Sequence, residues 1–248
     1  QNTLVLLDGQ RISENEQTTV NWMGIPLSSV ERIEIMRGSG AVLYGGGATG
    51  GTINIITKSA QKSTRSATVG TTVGSYGTYD YRAGANFAGD SVGLLLNTEH
   101  LETNNYRFGN RFRDQNAQAD LRFSGSRGTL YAKLGTDDQQ LLFPGTLTQA
   151  QIALNPRLNA TPGDFGNMSS NYVNLGGNLN FSGAEFALNA GYRTKNAPSA
   201  FFVATPFRNN IHTSVDVWSL TPRAKIPFAL GSVNNTLVAG VDWEQWNF

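Results

Sequence analysis

The sequence predicts a mainly β chain: a small α+β domain followed by part of an antiparallel transmembrane β-barrel. Three observations predict it. From about Ala67 onward apolar residues alternate strictly with polar ones; short and long connections between the alternating runs themselves alternate; and the composition joins 28 glycines to only 15% charged residues. Period-two alternation sends successive side chains to opposite faces of a sheet. Tight turns at one end and long loops at the other are the pattern of an outer-membrane barrel.

The first 58 residues read differently from the rest. They hold the compact apolar runs Leu4-Val5-Leu6-Leu7, Ile33-Glu34-Ile35 and Ile53-Asn54-Ile55-Ile56, with a glycine-rich stretch from Gly38 to Gly51 between the last two. Short buried strands joined by tight turns are expected there, so residues 1–58 form one domain. Arg32-Ile33-Glu34-Ile35 is expected to be a strand with one charged and one apolar face. The polar segment at 59–66 is the linker, and 67–248 is the barrel-type sheet.

In that sheet, strands are expected near 67–74, 78–88, 91–101, 115–123, 128–136, 171–181, 185–193, 213–225 and 235–246, about nine in all. The run Ala117, Ala119, Leu121, Phe123 is interleaved by Gln118, Asp120 and Arg122; Val173, Leu175, Gly177, Leu179 and Phe181 are interleaved by asparagine and glycine. The connections at Ala88–Ser91, Ser124–Arg127 and Ser182–Ala184 are tight, whereas 102–114, 137–170 and 194–212 are expected to be long loops. Pro144, Pro156, Pro162, Pro198 and Pro206 fall in the two longest, where no ladder hydrogen bond would be lost. Tyr172, Phe181, Tyr192, Trp218 and Trp243 lie near strand ends, as an interfacial aromatic girdle requires.

Several classes of function are excluded or disfavoured. Nineteen Lys+Arg against 18 Asp+Glu leave no basic field for nucleic acid. Without cysteine there is no disulfide, thiolate chemistry or Cys-ligated metal, and His100 and His212 are too far apart in sequence to read as a metal pair. No metal and no cofactor are expected. No apolar run approaches the ~20 residues of a membrane helix, but a membrane strand needs only about 9–11. Gly45-Gly46-Gly47-Ala48-Thr49-Gly50 fits G-x-G-x-x-G, yet a strand-like segment follows where a dinucleotide site needs a helix and an acid. No nucleophile–base constellation is evident, so the chain is not read as an enzyme.

The most specific segment runs Val30-Glu31-Arg32-Ile33-Glu34-Ile35-Met36-Arg37-Gly38-Ser39-Gly40-Ala41-Val42-Leu43-Tyr44-Gly45 and on to Gly50-Gly51-Thr52-Ile53-Asn54-Ile55-Ile56-Thr57-Lys58. It resembles the plug-domain signature of TonB-dependent outer-membrane receptors, and Leu6-Leu7-Asp8-Gly9 resembles the "DG" turn preceding it in that family. Ser39 departs from the family's usual proline. The resemblance implies that 1–58 is the C-terminal part of a plug and 67–248 the N-terminal part of a barrel whose full count would be 22 strands, with more than half of it beyond Phe248.

The resemblance further implies active uptake of a scarce nutrient across the bacterial outer membrane, most often a ferric siderophore or other iron chelate. The partners would be the TonB inner-membrane complex, the chelate, outer-membrane lipid and lipopolysaccharide, with the receptor a monomer. Haem, cobalamin or another organic cofactor is the alternative cargo, a signalling receptor the alternative role, and a soluble β-sandwich binding module the alternative class. For ligand contact, Tyr106, Arg107, Phe108, Arg111 and Arg113 are candidates, because arginines beside aromatics suit an anionic chelate; Tyr44 and Met23 are the candidates on the plug side. Glu31, Arg32, Glu34 and Arg37 are expected to pair with charges on the inner barrel wall, because buried charges need partners.

Overall fold

A computed structural model describes residues 3–12, 20, 22, 24–38, 48, 50–60, 64–204 and 207–248. Two sheets make up the chain. The first contains β1 (Thr3–Leu7), β2 (Gln10–Arg11), β3 (Val30–Arg37) and β4 (Gly51–Thr57), in the order β2-β1-β4-β3. β1 and β4 run parallel while β3 and β4 run antiparallel. A parallel central strand must be apolar on both faces, and that is how the run Leu4–Leu7 is used: all four residues are buried. Val5 and Leu7 pack with Val20 and Ile55 on one side; Leu4 and Leu6 pack with Ala48 on the other.

The Asp8-Gly9 turn joins β1 to β2 with both residues at positive φ, 51° and 82°. Two-residue hairpins favour this conformation because its twist matches the strands, and Asp followed by Gly tolerates it. β3 forms as its alternation predicts, but its apolar side is not covered: Ile33 and Ile35 stay exposed on this edge strand.

The second sheet is an antiparallel wall. Its members are β5 (Arg65–Gly74), β6 (Thr78–Ala88), β7 (Val92–Thr103), β8 (Phe112–Gly125), β9 (Gly128–Phe143), β10 (Asp164–Gly166), β11 (Met168–Phe181), β12 (Ala184–Ala204), β13 (Phe207–Leu230), β14 (Val233–Gly240) and β15 (Trp243–Asn247). β10 and β11 both pair with β9 and β12, and β14 and β15 both pair with β13, so each couple occupies one strand position. Nine positions result, each joined to its sequence neighbour in a simple meander.

Three sequence expectations need correction. Most strands run past their predicted ends. The 194–212 connection is not a loop at its flanks: β12 and β13 continue to pair through Pro198↔His212 and Phe202↔Arg208. Pro198 therefore lies within a strand, where its carbonyl still accepts the Asn167 N–H at 3.0 Å. The 137–170 connection shrinks to 144–163 and carries a short helix, α1 (Gln149–Leu154), started by a Thr148/Gln151 capping box. The reason is common to all three: alternation marks a strand only where one face is apolar. Beyond that zone both faces meet polar surroundings, and backbone pairing continues without a sequence pattern.

Register gives the wall two chemically distinct faces. Ala85, Leu96, Ala119, Leu134, Val173, Tyr192 and Trp218 form one continuous cross-strand row on the outward face. Tyr192 and Trp218 touch there with centroids 4.3 Å apart. One residue along, Asn97, Gln118, Gly135, Tyr172, Arg193 and Val217 form the matching inward row. Tyr172 is thus inward, contrary to its expected place in an outer girdle, and packs on the Val5–Leu7–Ile55 core of the small sheet.

Candidate functional site

The small sheet sits against the inward face of the wall, and the seam is polar and buried. Its centre is Lys133 of β9, whose ammonium donates to the Asp8 carboxylate at 2.7 Å and to the Thr57 hydroxyl at 2.6 Å. Asp8 also accepts the Thr57 N–H at 2.9 Å and the Thr57 hydroxyl at 2.7 Å. The β1–β2 turn, the end of β4 and the wall are therefore tied at one point. Asp120 of β8 stands 3.9 Å from Lys133, takes the Ala60 N–H at 3.2 Å and holds Arg122 at 2.8 Å. At this point of the seam Lys133 faces the carboxylates of Asp8 and Asp120, and Asp120 faces Arg122, so these charges have the opposite partners that burial demands.

Two further ties lie along the inward rows. Arg193 donates to the Ile12 carbonyl at 3.2 Å, and the Ser219 hydroxyl to the Gln10 side chain at 2.7 Å. The Tyr172 ring lies across Gly135: a Cβ built there would fall 2.1 Å from the ring. Glycine at that position lets the tyrosine lie flat against the wall and reach the core of the small sheet. Nearer the long-connection end, the inward face carries Asp80, Glu99, Asp114 and Asp137. Arg82 pairs with Asp80 and Glu99, while Asn116 and Gln139 each donate to an aspartate, Asp114 and Asp137, at 3.1 Å. Among the described residues no three His, Cys, Asp or Glu side chains converge as metal ligands.

The expected plug-to-wall charges are arranged otherwise among the described residues. Arg32 is bound by its own strand neighbours, Glu34 at 2.8 Å and Glu31 at 3.2 Å, and all three are half exposed. The Glu34 hydrogen bond, ahead of its charge and that of Glu31, holds the Arg32 guanidinium above its ordinary range despite a smaller opposing effect of desolvation. Arg37 is exposed at the end of the same strand. The ion pair across the seam belongs instead to Asp8 and Lys133, a pair that no local pattern announces.

The expected ligand residues separate into three groups. Arg107 is committed to main-chain carbonyls, donating to Pro144 at 2.9 Å, Gly145 at 2.5 Å and Leu158 at 2.7 Å. It clamps the 144–163 connection onto the 104–111 loop. Tyr106 and Phe108 are half exposed and join two residues the sequence did not single out. Arg157 lies over Phe108 at 4.5 Å and Tyr106 at 5.7 Å, and Tyr76 meets Tyr106 edge-on at 5.8 Å. Tyr76 lies in the gap between the first two expected strands and Arg157 in a connection without pattern, so neither carries a local signal. Arg111 and Arg113 form the third group, on the outward face of the wall, with Arg111 bound to Glu102 at 2.8 Å. Tyr44, Met23 and most of the glycine-rich stretch, 39–47 and 49, lie outside the described residues.

Comparison with known proteins bears on the whole arrangement. Residues 1–52 match the family model described as the TonB-dependent Receptor Plug Domain. The chain is 43% identical over 70 residues to the ferric enterobactin receptor of Pseudomonas aeruginosa, covering 24% of this chain and 9% of that protein. It is 44% identical over 91 residues to the vitamin B12 transporter BtuB of Vibrio cholerae, covering 36% and 14%. In fold, 99% of the chain superposes on 40% of the unliganded ferric citrate transporter FecA, with a TM-score of 0.81 at 16% identity. These matches cover well under half the length of the proteins concerned.

Proposed function

The chain carries a TonB-dependent receptor plug domain and the adjoining barrel strands, and from that premise we propose that it serves TonB-driven uptake of a ferric siderophore or similar iron chelate across the bacterial outer membrane. The observation that carries the reading is the two-faced wall. Its outward rows are apolar and exposed, as lipid contact requires, while its inward rows are polar and hold the plug. No helix among the described residues could span a membrane. β5 to β9 and β11 to β13, of 10 to 24 residues, reach or exceed the roughly 9–11 that a tilted crossing needs, so the excess of β12 and β13 would project beyond the bilayer.

In this reading the aromatic rim of Tyr76, Tyr106 and Phe108, with Arg157 and a contribution from Tyr44, meets the chelate outside the membrane. The iron chelate is cargo, and no metal is resident. The TonB inner-membrane complex then displaces the plug by breaking the Asp8–Lys133 seam. Glu31, Arg32, Glu34 and Arg37 would meet the remaining barrel wall. The receptor would work as a monomer.

A corrinoid is the second reading, favoured by the longer match to the vitamin B12 transporter. The test is titration of the full-length receptor in detergent, following tryptophan fluorescence, with ferric catecholate, hydroxamate and citrate chelates, haem and cobalamin. Saturable binding of a ferric chelate, weakened at least tenfold by Tyr106→Ala with Phe108→Ala, is expected. Binding of cobalamin or haem with no response to any ferric chelate would overturn the iron assignment.

A further inference from the structure

We propose that Asp114 and Asp137, on the inward face of β8 and β9, share a single proton, and that its loss as pH rises loosens the seat of the plug on the wall. The proposal goes beyond the uptake reading and holds whatever the cargo. Two inward rows meet at this place. Arg82, Glu99, Asn116, Asp137, Ser170 and Lys195 are successive register partners, as are Asp80, Leu101, Asp114 and Gln139 in the next row. Asp114 and Asp137 are therefore diagonal neighbours on one face, and their carboxyl groups are in hydrogen-bond contact. Two ionised carboxylates repel; one proton between them turns the contact into a charge-assisted hydrogen bond.

The surroundings favour a proton over a larger occupant. Asn116 and Gln139 donate amide N–H groups to Asp114 and Asp137. The Oδ1 atoms of Asp80, Asp114 and Asn116 and the Oε2 of Glu99 are nevertheless buried without a hydrogen-bond partner. Buried acceptors left without a donor are costly. Asp80, Asp114, Asn116 and Asp137 are each no more than 5% exposed, so the cluster is closed to an external ligand, whereas a proton needs no room.

Charge points the same way. Among the described residues in these rows, the carboxylates of Asp80, Glu99, Asp114 and Asp137 face the cations Arg82 and Lys195. Arg82 is held by Asp80 and Glu99, and Lys195 lies across Ser170 from Asp137. Lys133, lower on β9, is held by Asp8, and Arg193 donates to the Ile12 carbonyl. His100, Glu102, Arg113 and Asp138 of the same strands are on the outward face, where His100, Gln115 and Asp138 are level with the cluster and mark it as beyond the apolar band. Burial, ahead of the charge and hydrogen bond of Asp137, pushes the Asp114 carboxyl well above its ordinary range, with the Asn116 hydrogen bond opposing and the Glu99 charge adding.

Asp137 connects the pair to the plug. With Lys195 and Arg193 it lines a cavity of about 70 Å³ whose plug side is Leu7, Ile12, Val20, Gly24 and Ile25, none of them titratable. A proton held to higher pH in the folded protein than in the unfolded chain stabilises the fold below the ordinary carboxylate range, and that contribution is lost as pH rises through the raised value. Above it a second buried negative charge stands beside the first. Water entering the cavity relieves the repulsion and parts Asp137 from the plug residues.

Infrared difference spectroscopy and hydrogen exchange of the full-length receptor in detergent, over a series from mildly acidic to mildly alkaline pH, test this. A protonated-carboxyl C=O band should persist at neutral pH, fade in alkali, and be missing at neutral pH in both Asp114→Asn and Asp137→Asn. Exchange at the Ile12 and Ile25 amides, corrected for base catalysis, should rise at least fivefold across the series in the parent. It should stay flat in Asp114→Asn, whose amide stands in for the protonated acid, and follow the parent in Asp138→Asn on the outward face. A parent without the band at neutral pH would overturn the shared proton, whether or not the variants fold. A band without the rise in exchange would overturn the link to the plug, as would an Asp114→Asn variant that keeps the parent's pH dependence. Exchange that a metal chelator raises at fixed pH would assign the cluster to a cation and overturn the proposal. No readout involves cargo or TonB, so the uptake reading stands or falls separately.

Discussion

The ammonium of Lys133, on the inward face of the wall, lies 2.7 Å from the carboxylate of Asp8, in the turn between the first two strands of the plug. Lys133 and Asp8 are 7% and 14% exposed at the side chain. A pair this buried stabilises little relative to an apolar pair, but breaking it leaves one charge stranded, at about 3–5 kcal/mol. Lys133→Met should therefore loosen the plug specifically. Hydrogen exchange at the amides of Leu4–Leu7 should speed up by two orders of magnitude or more while β8 and β9 stay protected. Asp8→Asn added to Lys133→Met should restore part of the protection. Unchanged exchange in the single variant would remove this pair from the seam.

Gly135 makes room for Tyr172. Gly135→Ala places a methyl where the ring lies, and an overpacked site of this kind costs typically about 1–3 kcal/mol. The displaced ring also leaves the Val5–Leu7–Ile55 core, so the plug should show the loss. Thermal unfolding followed by near-ultraviolet circular dichroism should report a lower first transition. An unchanged profile would mean that the ring has another place to go.

Arg107 ties two connections together through carbonyls of Pro144, Gly145 and Leu158. Arg107→Ala should release the 144–163 connection to proteolysis, with new cleavage sites confined to it. Arg107→Lys should rescue poorly, because a single ammonium cannot span acceptors that the planar fork reaches together. Equal resistance in the alanine variant would show that Arg157, which bonds Tyr106 O at 2.8 Å, suffices as the clamp.

Leu175 lies on the outward face of β11 and is half exposed. Leu175→Arg should impair folding into liposomes by about 2–4 kcal/mol, the penalty for an arginine near the bilayer midplane, while Leu175→Ala should fold nearly as the parent does. An arginine variant that inserts with unchanged stability would place this face outside the hydrocarbon.

The arrangement of strands was legible in sequence wherever one face of a strand is apolar. Alternation located all nine strand positions and the run Leu4–Leu7 announced a short buried strand, because these depend on local side-chain chemistry and backbone preference; the Asp8-Gly9 turn was legible through its resemblance to the family's motif. Tertiary structure alone decided which charges meet. Asp8 and Lys133 are 125 positions apart, and their contact follows from sheet register and the seating of one sheet on another, which no local spacing encodes. The same holds for Arg111 and Arg113. Their composition beside aromatics suggested a ligand loop, but the parity of β8 turns them outward, and a shift of one residue in a strand is the whole difference between the inward and the outward face.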